Sequence, residues 1–249
     1  NQVEPGHCCP LVMTSAAVPV LNALRGSSSG TQDSADTNFW LDKLLSGQYD
    51  PANVPIEEKT GVTIGMSMTE KQGGSDVRAN TTTATPLGDS SGRAYSLVGH
   101  KWFTSAPMSD GFLTLARIGD DLSVPPSCFL VPRWRPDGSR NEGFKIMRLK
   151  NKLADRANAS SEVEYHNAYG LLLGEPGRGL QTILQMVQMT RLDCSLGAAA
   201  GAKRSLSIAL NHANTRSAFG VPLIDQPLMQ NLLTDLCIVQ EACLLSAMR

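Results

Sequence analysis

With 22 Lys and Arg against 23 Asp and Glu in 249 residues, the formal net charge is -1, so no overall field draws the chain to nucleic acid or an anionic membrane, and DNA binding would need a local patch. Hydrophobic residues at 41% and charged residues at 18% exclude a disordered chain and allow one large core or two smaller ones. No apolar run reads as a membrane span, and Asn1-Gln2-Val3-Glu4-Pro5 lacks the basic-then-apolar order of a signal segment, so the expectation is a soluble, intracellular protein without membrane contact. The six cysteines, at 8, 9, 128, 194, 237 and 243, form no Cys-x-x-Cys unit and meet no suitably placed His, so reduced thiols and no metal site are expected.

Residues 7–25 predict a helix, 26–34 a flexible surface insertion rich in Ser and Gly, and 38–46 a second short helix; residues 1–60 read as the end of a helical domain. From 61 to 175 the texture is β-rich, with strands expected at 62–66, 94–98, 112–116, 127–131, 144–149 and 162–165. The spacing leaves no room for crossover helices, so an antiparallel β domain is expected, and Gly174, Gly177 and Gly179 read as a turn rather than a dinucleotide fingerprint. Beyond Gly179 the period is helical: Leu180, Ile183, Leu184, Val187, Leu192 and Leu196, then a small-residue run at 197–202, then a stripe from Leu228 to Ala247 after Pro222 and Pro227. Residues 176–249 therefore read as the start of a second helical domain. The last helix runs into Arg249 without a capping residue, so the chain reads as a fragment of an α+β multidomain protein.

The segment Met66-Ser67-Met68-Thr69-Glu70-Lys71-Gln72-Gly73-Gly74-Ser75-Asp76-Val77 joins a strand-like run to two glycines flanked by hydroxyls. Without a Cβ, Gly73 and Gly74 let backbone N–H groups approach a pyrophosphate or a flavin carbonyl, with Thr69 and Ser75 adding hydroxyls. Read on spacing alone, the same residues also suit a strand-to-loop turn capped by Asp76.

Four motifs in order resemble the acyl-CoA dehydrogenase family: Thr69-Glu70-Lys71-Gln72-Gly73-Gly74-Ser75-Asp76; Gly99-His100-Lys101-Trp102-Phe103-Thr104-Ser105; Leu173-Gly174-Glu175-Pro176-Gly177-Arg178-Gly179-Leu180; and Arg216-Ser217-Ala218-Phe219-Gly220 with Gln226. Residues 68–80 and Met189-Thr190-Arg191-Leu192-Asp193-Cys194 are most similar to its AidB-type, alkylation-response branch. The resemblance implies helical domains on either side of the β domain, and FAD as cofactor. Met68, Thr69, Gly74 and Ser75 would then bind the isoalloxazine edge and pyrophosphate, and Trp102, Phe103, Thr104 and Ser105 the ring, with Trp102 packed on it and Thr104 bonded near its reactive nitrogen. Arg216, Phe219 and Gln226 would reach the FAD of a neighbouring subunit, implying a dimer or tetramer. From the residues alone, Trp102 also suits a strand core, and Arg216, Phe219 and Gly220 suit a helix end.

The implied reaction is α,β-dehydrogenation of an acyl-CoA, with an electron-transfer partner, in the cytoplasm, or in the mitochondrion or peroxisome of a eukaryote. The alternative implied by the branch is a flavoprotein of the alkylation response that binds DNA through a later C-terminal region with little dehydrogenase turnover. A minority of the family carries its catalytic glutamate next to an arginine matching Arg191; here Thr190 holds that place, a threonine is no substitute, and Asp193 is a weak candidate, so the catalytic residue stays unassigned. Ser67 and Ala154 stand where the family commonly has, respectively, a Gly, Ala or Cys and a Gly, and Arg156 reads as a structural ion-pair partner.

Overall fold

In the computed structural model, which describes residues 2–25 and 33–249, the residues fall into two compact units, 9–190 and 1–8 with 191–249. The expected insertion at 26–34 lies almost wholly outside the described residues.

Helix α1 (Cys8–Arg25) buries Met13, Ala16, Ala17, Val20 and Leu21, spaced at three and four residues along one stripe. That stripe meets Trp40 and Leu41 of α2 (Asp33–Leu45) and one face of the sheet, through Ile64, Leu113, Leu115, Cys128, Leu130 and Leu173. Two helices, Cys8–Arg25 and Pro227–Met248, are by length and composition apolar enough to cross a membrane, which corrects the expectation that no run reaches that length. In α1 the apolarity serves the core.

Seven strands build the sheet: β1 (Ile64–Thr69), β2 (Thr83–Pro86), β3 (Ala94–Ser105), β4 (Gly111–Ile118), β5 (Ser127–Pro132), β6 (Phe144–Leu149) and β7 (Ser160–Leu173). Pairings β1–β3, β3–β7, β7–β5, β5–β4 and β4–β1 close a ring, with β6 added along β7. Alternate side chains point into the ring, including Ala116, Phe129, Val131, Val163 and Tyr165, and the others face the helices.

The sheet is mixed, where an antiparallel one was expected: β1 and β2 both run parallel to β4. The short turn between β3 and β4 does reverse the chain, with Ser109 N–H donating to Ala106 O, but the two strands are splayed apart and a third line of chain fills the slot between them. That line runs antiparallel to β3 and so must run parallel to β4. It is made of β1 and β2 end to end: β1 pairs with Gly111 to Thr114 of β4 and with Phe103 to Ser105 of β3, and β2 pairs with Arg117 to Ile118 and with Tyr95 to Val98. Between the two segments the chain leaves the sheet at Glu70 and returns at Thr82.

Helix α3 (Gly179–Thr215) begins in the first unit and continues into the second, where a two-stranded ribbon, β8 (Ser217–Ala218) and β9 (Val221–Pro222), and then α4 (Pro227–Met248) follow. Phe219 and Gly220 form the two-residue turn with φ of 54° and 79°, the left-handed pair that matches the twist of a tight ribbon. Arg156 corrects another expectation: its Nε donates to Lys152 O at 2.9 Å, and among the described residues it has no carboxylate partner.

Candidate cofactor and anion site

Where the chain leaves the β1–β2 line, a gap opens between β3 and β4, and a buried ion pair plugs it. Lys101 Nζ, fully buried, donates to Glu70 Oε1 at 2.7 Å and to the carbonyl of Leu115 at 2.7 Å, a β4 acceptor beside the missing stretch of strand. The Glu70 carboxylate also accepts from the backbone N–H and hydroxyl of Thr81 (2.6 and 3.1 Å) and of Thr82 (3.2 and 2.6 Å). Burial opposes ionisation of Glu70, but Lys101 and these hydrogen bonds outweigh it and hold the carboxyl below its ordinary range.

The return limb is braced from the same side. Arg117, 2% exposed, donates from Nε to Asn80 O at 2.9 Å and from its two terminal nitrogens to the carbonyls of Arg78 and Val124. Asn80 Nδ2 donates to Met68 O at 2.9 Å, and Gln72 Nε2 to Asn80 Oδ1 at 2.7 Å.

The tip, in contrast, is open. Gly73 sits at φ 112°, and an added Cβ on Gly74 would lie 2.9 Å from Thr69 Oγ1, so the backbone folds closely over that hydroxyl. The N–H groups of Gly74 and Ser75 donate to no protein acceptor among the described residues, and both residues are exposed. These are the donors an anionic, carbonyl-bearing ring needs, so this chain's residues fit a flavin here.

Across the β1–β3 ladder Thr69 pairs with Phe103, while Ser105 lies further along opposite Met66; Gly74 packs closely on the Thr69 side chain. Trp102 has Lys150 Nζ 3.2 Å from its ring centroid, with Arg148 beyond at 5.9 Å, so a cation already covers one face. Both cations pair with Glu162, and Arg148 first, then Lys150, pull its carboxyl down to about 2. Thr104 is fully buried, its Oγ1 2.5 Å from Ser67 Oγ, while Thr114 Oγ1 donates to Ser67 O at 2.5 Å and the nearby phenol of Tyr165 is pushed up to about 12 by burial. Thr104 thus belongs to a cluster of interior hydroxyls.

Arg216, Phe219 and Gln226 lie in the other unit and form one hairpin there. Arg216 O accepts from Leu223 N–H, Gln226 Nε2 donates to Ala218 O at 3.1 Å, and the Phe219 ring is 99% exposed. Thr190 Oγ1 donates to Val187 O at 2.9 Å, a local helix bond.

Sequence reasoning missed a cavity of about 480 Å³ on the return limb, bounded by the loop after β4 and the start of α3. Arg78, Arg117 and Arg178 line it together with Leu122, Pro125 and Leu180, and among the described residues none of the three arginines forms a salt bridge. They are spread over a hundred residues of sequence, so no local pattern announces them.

Comparison with known families adds three matches: the family described as acyl-CoA dehydrogenase, middle domain, over residues 65–168; acyl-CoA dehydrogenase, C-terminal domain, over 177–249; and adaptive response protein AidB N-terminal domain over 1–51. AidB of Escherichia coli K12 is 49% identical over 96% of this chain and 41% of its own length. The solved Caenorhabditis elegans ACDH-11, in complex with C11-CoA, is 30% identical over 93% of this chain and 37% of its own, with a TM-score of 0.77. A Bacillus anthracis acyl-CoA dehydrogenase complexed with FAD shares the fold at TM-score 0.62 and 24% identity, over 74% of this chain and 30% of its own. The chain spans well under half the length of these relatives.

Proposed function

The chain belongs to the acyl-CoA dehydrogenase family, and from that premise we propose that it is part of an FAD-dependent oxidoreductase that introduces an α,β double bond into an acyl-CoA thioester. The observation that carries this reading is the unspent pair of donors, Gly74 and Ser75 N–H, at the tip of a rigidly braced excursion. Bound there, FAD supplies the acceptor for the hydride that leaves the β carbon. Gly74 and Ser75 hold and polarise its anionic edge, favouring the ring with added negative charge, and Phe103 lies across the ladder from Thr69 at the base of the same loop. The α proton requires a carboxylate across the substrate from the ring; Thr190 cannot serve, and we assign that role to no residue of this chain.

The hairpin that presents Phe219 to solvent, with Arg216 at its start, supports a homo-oligomer in which the pair contacts a neighbour's cofactor. An electron-transfer partner would reoxidise the flavin.

The test is spectroscopic. The full-length gene product should show flavin absorption after reconstitution with FAD, and an acyl-CoA of suitable chain should bleach it without oxygen. Lack of flavin bands would remove the cofactor claim, and a bound flavin that no acyl-CoA of a short-to-long panel bleaches would remove the dehydrogenase claim. A second reading, favoured by the match of residues 1–51 to the AidB N-terminal domain, is a DNA-binding flavoprotein of the alkylation response with little turnover. It predicts a DNA affinity that falls steeply with salt.

A further inference from the structure

We propose, building on the FAD reading, that Lys150 is a positioning residue for the reaction: its charge raises the reduction potential of the bound flavin, and Glu162 restrains it. Register brings Lys150 to the end of the sheet that carries the glycine loop. Its N–H donates to Ser160 O at 2.8 Å, Ser160 pairs with Ser105, and Ser105 pairs with Met66, so one row runs from the end of β6 across β7 and β3 to β1. A bulge in β3 supplies the rest. Between Lys101, opposite Val163, and Thr104, opposite Ser161, both Trp102 and Phe103 face the single residue Glu162, so the alternation that sends neighbours to opposite faces is suspended. One ammonium therefore reaches both rings. Lys150 Nζ stands 3.2 Å from the Trp102 centroid and 5.3 Å from that of Phe103, the residue paired with Thr69 at the base of the loop.

The charge is not cancelled where it stands. Lys150 and Arg148 share one carboxyl oxygen, Glu162 Oε1, at 2.8 and 2.7 Å, so two cations meet one anion and a positive charge is left over. The two cations differ in setting. The Arg148 side chain is 65% exposed and its guanidinium lies 5.9 Å from the Trp102 centroid, where water and salt screen it, whereas the Lys150 side chain is 10% exposed. The charge that the rings meet is thus chiefly the ammonium's, in surroundings of low dielectric. A flavin that takes a hydride gains its two electrons and becomes anionic, and a fixed cation nearby stabilises that form over the neutral oxidised one. Glu162 and the Trp102 ring hold the ammonium in one place, so its effect needs no rearrangement as the flavin is charged. A lysine that only braced β3 against β6 would act on stability alone.

The experiment measures the midpoint potential of FAD in the full-length protein, without substrate, by anaerobic reduction against reference dyes followed in the visible spectrum. Lys150→Met is expected to shift the ratio of reduced to oxidised flavin about tenfold toward the oxidised form, a fall of about 30 mV for the two-electron couple. Glu162→Gln is expected to move it by a similar factor the other way, and Lys150→Arg to leave it nearly unchanged. Arg148→Gln should lower it by less than about threefold, with that smaller shift fading as salt rises. Loosened packing alone does not give opposite signs at two residues in one contact. Should Lys150→Met load too little flavin to titrate, the rise at Glu162→Gln and the constancy at Lys150→Arg decide the matter. One potential shared by the unaltered protein and Glu162→Gln, a fall at Glu162→Gln, or no fall at Lys150→Met overturns the proposal. A protein without flavin bands overturns the cofactor reading and this inference with it. A flavin that no acyl-CoA bleaches bears on the dehydrogenase reading alone, since the dyes take the place of substrate here.

Discussion

The neck and the tip of the excursion between β1 and β2 are built on opposite rules. At the neck the hydrogen bonding is dense: Glu70 takes four donors from Thr81 and Thr82 besides Lys101, and Arg117 fastens the carbonyls of Arg78, Asn80 and Val124. At the tip two adjacent amides are left over and the side chains are small or exposed. A loop must be fixed at its root to present donors at its end in one geometry, so the dense hydrogen bonding of the first region is what makes the sparse second region usable.

The most forceful way to break this contrast is at the neck. Glu70→Leu strands a buried ammonium, and it is expected to cost about 3 to 5 kcal/mol, lowering the thermal midpoint by roughly 10 °C, as circular dichroism would record. Glu70→Leu with Lys101→Met should recover most of that loss; a double variant as unstable as the single one would show that the pair does not couple. Acid probes the same root more gently. Because the folded carboxyl of Glu70 titrates below its ordinary value, its contribution is fully present above about pH 4.5 and is lost as pH falls through the lower folded value, so stability should drop with acid below pH 4.5. Glu70→Gln should flatten that slope; an unchanged slope would remove Glu70 from the account. At the tip the effects on stability shrink and the effects on binding grow. Gly73→Ala, at φ 112°, should cost about 1 to 2 kcal/mol, whereas Gly74→Ala should change stability by less than about 0.5 kcal/mol yet weaken FAD roughly tenfold as its Cβ presses on Thr69. Equal flavin affinity across the glycine pair and the unaltered protein, measured by fluorescence titration, would argue that the tip does not touch the cofactor.

The sequence made the regular elements legible where period and burial agree. The stripe of α1, the short apolar runs of β4 and β5, buried along almost their whole length, and the bounds of β6 needed only local information. β2 escaped because Thr83–Pro86 is short, largely polar and ends in proline, so only its place in line with β1 makes it a strand. The ring closure escaped for a related reason: β1–β4 and β3–β7 join residues far apart in the chain. The glycine tip was visible as a motif, but the meaning of Glu70 and Lys101, two charges within it, depends on the gap they fill, which no spacing reveals. Thr104 shows the limit most sharply. A bulge between Lys101 and Thr104 shifts the alternation of β3, and Ser67, read as a mild departure, turns out to be the hydroxyl that holds Thr104 in the interior.

One strand, β7, touches three others: β3 along most of its length, β6 beside residues 161–165 and β5 at its far end. During synthesis that makes it the keystone laid last, since β3, β5 and β6 all emerge from the ribosome before it. Until Leu173 has cleared the exit tunnel, their hydrogen-bonding margins face solvent bare, and the nascent barrel is an open scroll able to pair with another copy of itself. Slow decoding just after this strand would favour closure, and truncations ending inside it should be the aggregating ones.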